Sequence, residues 1–119
     1  MIRFGIIGCG NIANKAFLPA LQQCSDAVLI AVASRSKANA EAITSKFGGV
    51  AIEGYNHLLT REDIDAVYIA LPVGLHAEWA IVAAENGKHV LCEKSLAVNL
   101  QETCAILEAC ENNGVALFE

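Results

Sequence analysis

The sequence has few aromatic residues, few prolines and no long hydrophobic segment. Among its 119 residues are one tryptophan, two tyrosines, four phenylalanines and two prolines. No stretch approaches the roughly 20 consecutive apolar residues that span a bilayer, and the first apolar run is too short to be a secretory signal. The sequence therefore predicts a protein with no membrane segment, and we expect it to be cytoplasmic.

Basic residues are scarce as well. Lysine and arginine total 8 against 13 acidic residues, so the formal net charge is −5. Nucleic acids and anionic membranes are bound by basic surfaces, and we expect neither as a partner. Any phosphate-bearing ligand must then be held by groups close to it, because the overall field of the protein opposes it.

Cysteine and histidine do not form a metal-binding pattern. The five cysteines are an odd number without CxxC spacing, and the three histidines have no partner at the spacing of helical metal ligands. We expect free thiols in a reducing compartment, no disulfide framework and no metal site.

Apolar residues make up 55% of the chain and alternate between two patterns. Short continuous runs predict strands at 3–7, 28–33, 50–52, 66–71, 89–92 and 115–118, and helices are predicted at 12–23, 37–47, 56–60, 75–86 and 99–113. Pro19 predicts a break near residues 17–18, and Ser36 is predicted to cap the second helix. The last helix is amphipathic, with apolar residues at helical spacing: Leu100, Cys104, Leu107 and Cys110.

This alternation predicts one α/β domain over residues 1–119. Continuous apolar strands separated by helices form parallel sheets that are covered on both faces. Right-handed crossovers favour the strand order 3-2-1-4-5-6, which is the Rossmann-type doubly wound sheet.

A glycine turn follows the first strand directly. Gly8 and Gly10 precede Asn11, Ile12 and Ala13. A strand that passes through glycines into a helix directs main-chain N–H groups and the positive helix end towards one point, where a pyrophosphate fits. The spacing predicts a dinucleotide site, with Gly8 for the tight turn, Gly10 for close ligand approach and Ala13 for close helix packing.

The end of the second strand carries Ser34 and Arg35, at a position where an acidic residue would bind the ribose of NAD. A hydroxyl and a guanidinium suit a 2′-phosphate, which arginine meets with paired donors. The sequence thus favours NADP, with NAD as the alternative. A solvated loop is the other interpretation of Arg35.

Two further segments follow the fourth and fifth strands. Leu71, Pro72 and His76 lie at the switch point of such a sheet and could line the nicotinamide ribose, although His76 could equally cap the next helix. Glu93 and Lys94 follow the fifth strand, where a lysine could exchange a proton with a substrate hydroxyl. Taken alone, such a Glu-Lys pair is more often a surface ion pair.

Taken in order, these segments resemble the Gfo/Idh/MocA family of NAD(P)-dependent oxidoreductases. The resemblance covers residues 2–119, and HVLCEK is its most specific part because the family carries GKHVLCEKP there. It implies that Lys94 is the active-site lysine and that Glu93 belongs to the same motif. It further implies cofactor contacts from the glycine turn, the end of strand two and the loop after strand four: Gly8, Gly10, Asn11, Ile12, Ser34, Arg35, Leu71, Pro72 and His76.

The sequence departs from the family in two places. Ser95 stands where the family has proline, so Lys94 could be aimed differently, and the chain lacks the family's substrate domain. We expect the cofactor domain of an NADP-preferring enzyme that transfers hydride to or from a carbinol of a sugar, cyclitol or diol, inactive as this chain alone. A non-catalytic dinucleotide-binding module and a redox-neutral NAD-dependent glycosidase relative remain alternatives, as does a homo-oligomer. Ser34 and Arg35 argue against a methyltransferase, because such an enzyme would carry an acidic residue at the end of strand two to bind the ribose of its cofactor.

Overall fold

A computed structural model of the protein describes residues 1–119 and contains a six-stranded sheet. All five strand pairings are parallel, and the strands lie in the order β3-β2-β1-β4-β5-β6. This confirms the predicted topology. The strands are β1 (Ile2–Ile7), β2 (Ala27–Ser34), β3 (Val50–Glu53), β4 (Ala66–Ile69), β5 (His89–Cys92) and β6 (Leu117–Phe118).

Five α-helices connect the strands and cover both faces of the sheet. They are α1 (Leu18–Gln23), α2 (Lys37–Phe47), α3 (Tyr55–Leu59), α4 (His76–Glu85) and α5 (Leu100–Asn112). Neighbouring residues of one strand enter opposite cores, as the pleat requires. Ile7 packs with the buried residues of α3, α4 and α5, whereas Ile6 packs with those of α1 and α2.

The first helix does not break at Pro19. A π-helical segment, Ala13–Phe17, passes directly into α1, and both Phe17 and Leu18 keep right-handed helical dihedrals. Pro19 sits at the start of α1, where a missing N–H is tolerated. The expected interruption is therefore a change in hydrogen-bonding pattern within a continuous helical segment.

Two expectations about the other helices are wrong. Ser36 precedes α2 with extended dihedrals, but its side chain makes no capping bond. Of the apolar stripe predicted for α5, Cys110 is buried, whereas Cys104 is exposed, Leu100 is 77% exposed and Leu107 51%. The face that packs into the core carries Ile106 and Cys110.

The parallel arrangement brings the carboxyl ends of all six strands to one edge of the sheet, where ligands bind in folds of this kind. The glycine turn after β1, the loop after β4 and the loop after β5 all lie there. None of the helices is long and apolar enough to cross a membrane.

Candidate dinucleotide site at the carboxyl edge of the sheet

Gly8 makes the close contact between the ends of β1 and β4. Its φ is +94°, in the region that favours glycine. A Cβ at this position would lie 2.4 Å from the main-chain oxygen of Ala70 and 2.7 Å from Leu71 Cδ2. Its N–H donates to the Ala33 carbonyl on β2 at 3.0 Å. One glycine therefore fixes the turn against both neighbouring strands.

The turn after Gly8 presents unpaired main-chain amides. Within the protein, Ala13 and Asn14 both donate to the Gly10 carbonyl, whereas the N–H groups of Gly10, Asn11 and Ile12 donate to no main-chain carbonyl. Gly10 lines the open space beside these amides and lies close to the end of β4, where a Cβ would be 3.2 Å from the Ala70 oxygen. Ala13 is completely buried, as its predicted packing role requires.

One end of the site is a groove of about 540 Å³ between the glycine turn and the end of β2. Arg35 is exposed, and it is not part of either ion pair in the structure. The Ser34 hydroxyl accepts from the Ser36 N–H at 3.3 Å, so its own hydrogen remains free to donate. No acidic side chain lines the groove, and its lining residues are Gly8, Cys9, Gly10, Ser34, Arg35, Ser36, Asn39, Tyr55, Ala70, Leu71, Pro72 and Leu75.

A second cavity, of about 330 Å³, continues this groove towards β5. The two cavities share Gly10 and the segment 70–72, and the second is also lined by Asn11, Ile12, Ala13, Glu93 and Lys94. The guanidinium end and the lysine end of the site are therefore parts of one groove, with the free amides between them. This is the arrangement of groups that an elongated ligand with a central diphosphate requires.

His76 lies apart from both cavities. It is 1% exposed, its Nδ1 is 2.7 Å from the Ser95 carbonyl oxygen, and its Nε2 is 2.7 Å from the Leu71 carbonyl oxygen. It makes no cap for α4, whose N-terminal flanking residue is Leu75. Neither interpretation of this histidine from sequence matches its position, because it joins the loop after β4 to the loop after β5.

Lys94 follows β5 and lines two cavities. Besides the groove, it borders a cavity of about 610 Å³ on the outer side of the loop, which it shares with Ile12, Tyr68, Glu93 and Glu119. The Glu93 carboxylate accepts the Tyr68 hydroxyl at 2.5 Å and the Lys94 main-chain N–H at 3.2 Å. Burial, followed by the hydrogen bond to Glu93, raises the pKa of Tyr68 far above its ordinary value, so the phenol stays a donor. The Lys94–Ser95 peptide bond is cis.

Four residues at this edge were not found from the sequence. Asn39 and Tyr55 line the groove beside Arg35, while Tyr68 and Glu119 contact the loop that carries Lys94. Burial raises the pKa of Tyr55, and the nearby Arg35 charge opposes that shift. Asn39 could have been found because it lies in the first turn of α2, which begins two residues after Arg35. No sequence signal separates Tyr55 and Tyr68 from core aromatics.

The structure holds no cluster of His, Cys, Asp or Glu side chains that could bind a metal ion.

Comparison with known proteins identifies the family of this domain. Residues 2–119 match the sequence model of the Gfo/Idh/MocA proteins, which is described as an oxidoreductase family with an NAD-binding Rossmann fold. The match spans nearly the whole chain, and it includes each of the segments that line the groove.

Several curated relatives are enzymes that act on sugars or cyclitols. The chain is 45% identical over 99% of its length to a dTDP-3,4-didehydro-2,6-dideoxy-alpha-D-glucose 3-reductase of Streptomyces violaceoruber, covering 34% of that protein. It is 45% identical over 98% of its length to D-xylose 1-dehydrogenase (NADP(+)) 2 of Haloferax volcanii, covering 36%. It is 41% identical over its whole length to scyllo-inositol 2-dehydrogenase (NADP(+)) IolU of Bacillus subtilis, again covering 36%. The chain thus spans about a third of the length of these relatives.

Solved structures share the fold closely. KijD10, a 3-ketoreductase from Actinomadura kijaniata in complex with NADP and TDP-benzene, superposes with a TM-score of 0.95 at 43% identity. The match covers 98% of this chain and 36% of that one. The WlbA dehydrogenase from Chromobacterium violaceum, in complex with NADH and UDP-GlcNAcA, gives a TM-score of 0.92 at 32% identity, covering 98% and 34%.

Proposed function

The chain belongs to the Gfo/Idh/MocA oxidoreductase family, and on that premise we propose that it is the dinucleotide-binding part of an NADP-preferring oxidoreductase. The reaction that we assign is the transfer of a hydride between the nicotinamide and a carbinol carbon of a sugar, cyclitol or diol. The observation that carries the proposal is the continuous groove from Arg35 to Lys94, with unpaired amides midway.

The residues of the groove fit a dinucleotide. The amides of Gly10, Asn11 and Ile12 would receive diphosphate oxygens, which are strong acceptors and need no basic side chain when main-chain donors converge. Gly10 keeps the space in front of those amides clear. With a protein of net charge −5, local donors of this kind are the means by which an anion is held.

The preference for NADP rests on Arg35 and its surroundings. The guanidinium is exposed and outside both ion pairs, and the groove contains Ser34, Ser36 and Asn39 as further polar groups but no carboxylate. An acidic residue would repel a 2′-phosphate, whereas arginine can meet it with two parallel hydrogen bonds. The inositol and xylose dehydrogenases among the relatives carry NADP(+) in their names, which supports the same preference.

We assign the transfer of the substrate hydroxyl proton to Lys94. The bound dinucleotide would supply or accept the hydride. Lys94 lies where the groove and the outer cavity of about 610 Å³ meet, so its ammonium group can reach a substrate hydroxyl on one side and the cofactor region on the other. Hydride transfer at a carbinol needs such a group to take or return the hydroxyl proton. Glu93 has a second role besides lining the cofactor groove, because its carboxylate supports the loop that carries Lys94.

The cofactor preference can be tested on the chain itself. Tyr55 lines the groove and its ring lies 4.9 Å from that of Trp79, the sole tryptophan, so bound NADPH should quench tryptophan fluorescence. We expect NADPH to bind more tightly than NADH, and Arg35→Ala to weaken NADPH about 10- to 100-fold with little effect on NADH. The matched control is Arg61→Ala, because Arg61 pairs with Asp63 before β4, away from the groove. Equal affinities of the unmodified chain for the two nucleotides would refute the preference, and absence of binding to both would refute the proposed function.

A further inference from the structure

The loop that carries Lys94, residues 93–96, is held by side chains from three other elements. We call it the lysine loop. Beyond the Glu93 N–H, which donates to the Ile69 carbonyl of β4 at 3.1 Å, it is outside any helix or strand, and Lys94 and Ser95 are exposed. Its fixed points are the Glu93 carboxylate, the Ser95 carbonyl and the Leu96 N–H, and their partners are Tyr68 on β4, His76 on α4 and Glu119 after β6.

Tyr68 makes the shortest of these contacts. It is 3% exposed, and its ring stacks on Phe17 with centroids 4.0 Å apart and planes inclined by 15°. Its hydroxyl donates to Glu93 Oε1 at 2.5 Å, while Glu93 Oε2 accepts the Lys94 N–H at 3.2 Å. A residue of the sheet core is thereby connected to the main chain of Lys94 through a single carboxylate.

We propose that Tyr68 is a positioning residue that acts through Glu93 to fix the lysine loop so that Lys94 faces both cavities. This inference rests on the proposed role of Lys94. The long, exposed lysine side chain has no ion-pair partner to aim it, so its direction is set by the loop from which it projects. His76 and Glu119 fix the two residues that follow at 2.7 Å each. The residue that precedes the lysine is held by the Glu93 N–H, which donates to the Ile69 carbonyl at 3.1 Å, and by one side-chain contact, that of its carboxylate with Tyr68.

The consequence for catalysis concerns turnover more than cofactor binding. Tyr68 lines the outer cavity but neither of the two cavities that form the cofactor groove. Removing the phenolic hydroxyl leaves the free amides, Gly10 and Arg35 unchanged. The dinucleotide affinity should stay the same, while a lysine displaced by about 1 Å loses up to 100-fold in rate.

The experiment is a double-mutant cycle in the complete enzyme that contains this chain. Tyr68→Phe removes the hydroxyl but keeps the ring that stacks on Phe17, and Glu93→Ala removes its acceptor. We expect each to lower kcat about 10- to 100-fold, and the double variant to be no slower than the slower single variant. Tyr68→Phe should leave the Kd for NADPH unchanged, because Tyr68 does not line the cofactor groove. Glu93→Gln keeps an acceptor for the phenol and should recover part of the rate. Glu85→Ala, at the exposed end of α4, is the control for loss of a carboxylate.

A second measurement, on the chain alone, is independent of activity. Amide hydrogen exchange at Lys94 should be faster in Tyr68→Phe, while exchange in the core of β4 is unchanged. Additive effects on kcat would mean that Tyr68 acts on the substrate directly and would overturn the proposal. Unchanged kcat and unchanged exchange would also overturn it. If wild-type chain binds NADPH but Lys94→Ala leaves turnover intact, the proposed function of Lys94 fails first, and the role of Tyr68 fails with it.

Discussion

Replacing Gly8 with alanine should destabilise the whole domain. An L-residue at φ +94° costs about 1–2 kcal/mol. In addition, the new Cβ would lie 2.4 Å from the Ala70 oxygen and 2.7 Å from Leu71 Cδ2, and relief of such overlap costs about 1–3 kcal/mol. We therefore expect Gly8→Ala to lower the free energy of unfolding by about 3 kcal/mol, measured by urea denaturation with Trp79 fluorescence as the signal.

Gly10→Ala is the matched comparison, because it adds the same methyl group two residues later. Gly10 has no positive φ, and its Cβ would lie 3.2 Å from the Ala70 oxygen, so the cost in stability should stay below about 1 kcal/mol. The methyl group would instead occupy the groove in front of the free amides and lower the affinity for NADPH by about tenfold or more. A Gly8→Ala variant within 1 kcal/mol of wild type, with an unchanged m-value, would refute this reasoning.

Two further substitutions test contacts at the opposite edge of the sheet. The Arg3 side chain, which hydrogen-bonds Asp65, lowers the pKa of that carboxyl from 3.8 to about 2, so the contact stabilises the fold above about pH 4 and is lost as the pH falls towards 2. Both side chains are partly exposed, at 43% and 35%, so Asp65→Asn should cost only about 1 kcal/mol at pH 7. In acid-dependent denaturation the loss should shrink as the pH falls through about 2, and an equal loss at pH 7 and at pH 2 would contradict this. Buried Lys88 donates to the Ile64 carbonyl at 2.9 Å and to a second main-chain carbonyl, so Lys88→Met should lower the free energy of unfolding by about 2–3 kcal/mol in urea. The exposed Lys37→Met is its control, and a loss no larger than that of the control would show that these bonds do not stabilise the fold.

The fold could be predicted from the sequence because its strands are short, apolar and separated by helical patterns. Strand order follows from parallel connections of one handedness and needs no side-chain detail. The face of α5 could not be predicted in the same way. That helix carries apolar residues on two overlapping stripes, and periodicity alone does not say whether Leu107 or Ile106 enters the core. The helix break predicted from Pro19 was wrong because a π-helical turn accommodates this proline without interrupting the helix.

Within the site, the sequence indicated the residues that line the groove better than those that hold such residues in place. The glycine turn, Arg35 and Lys94 have spacings tied to their chemistry, and the structure brings them to one groove. Tyr68 and His76 act through contacts between loops that are distant in the chain, such as the 2.7 Å approach of His76 to the Ser95 carbonyl. A contact across 19 residues leaves no local pattern, so a buried aromatic or histidine is indistinguishable from a packing residue until the fold is known.

The unpaired amides after Gly8 have a consequence for mutational scanning. Since the donors belong to the backbone, the side chains of Asn11 and Ile12 can be exchanged without deleting any of these main-chain N–H groups. An alanine scan of this turn should therefore change the dinucleotide affinity very little except at its two glycines. The anion contacts that we propose for these amides would then be invisible to the method most often used to find such contacts, and would emerge only from changes that add atoms instead of removing them.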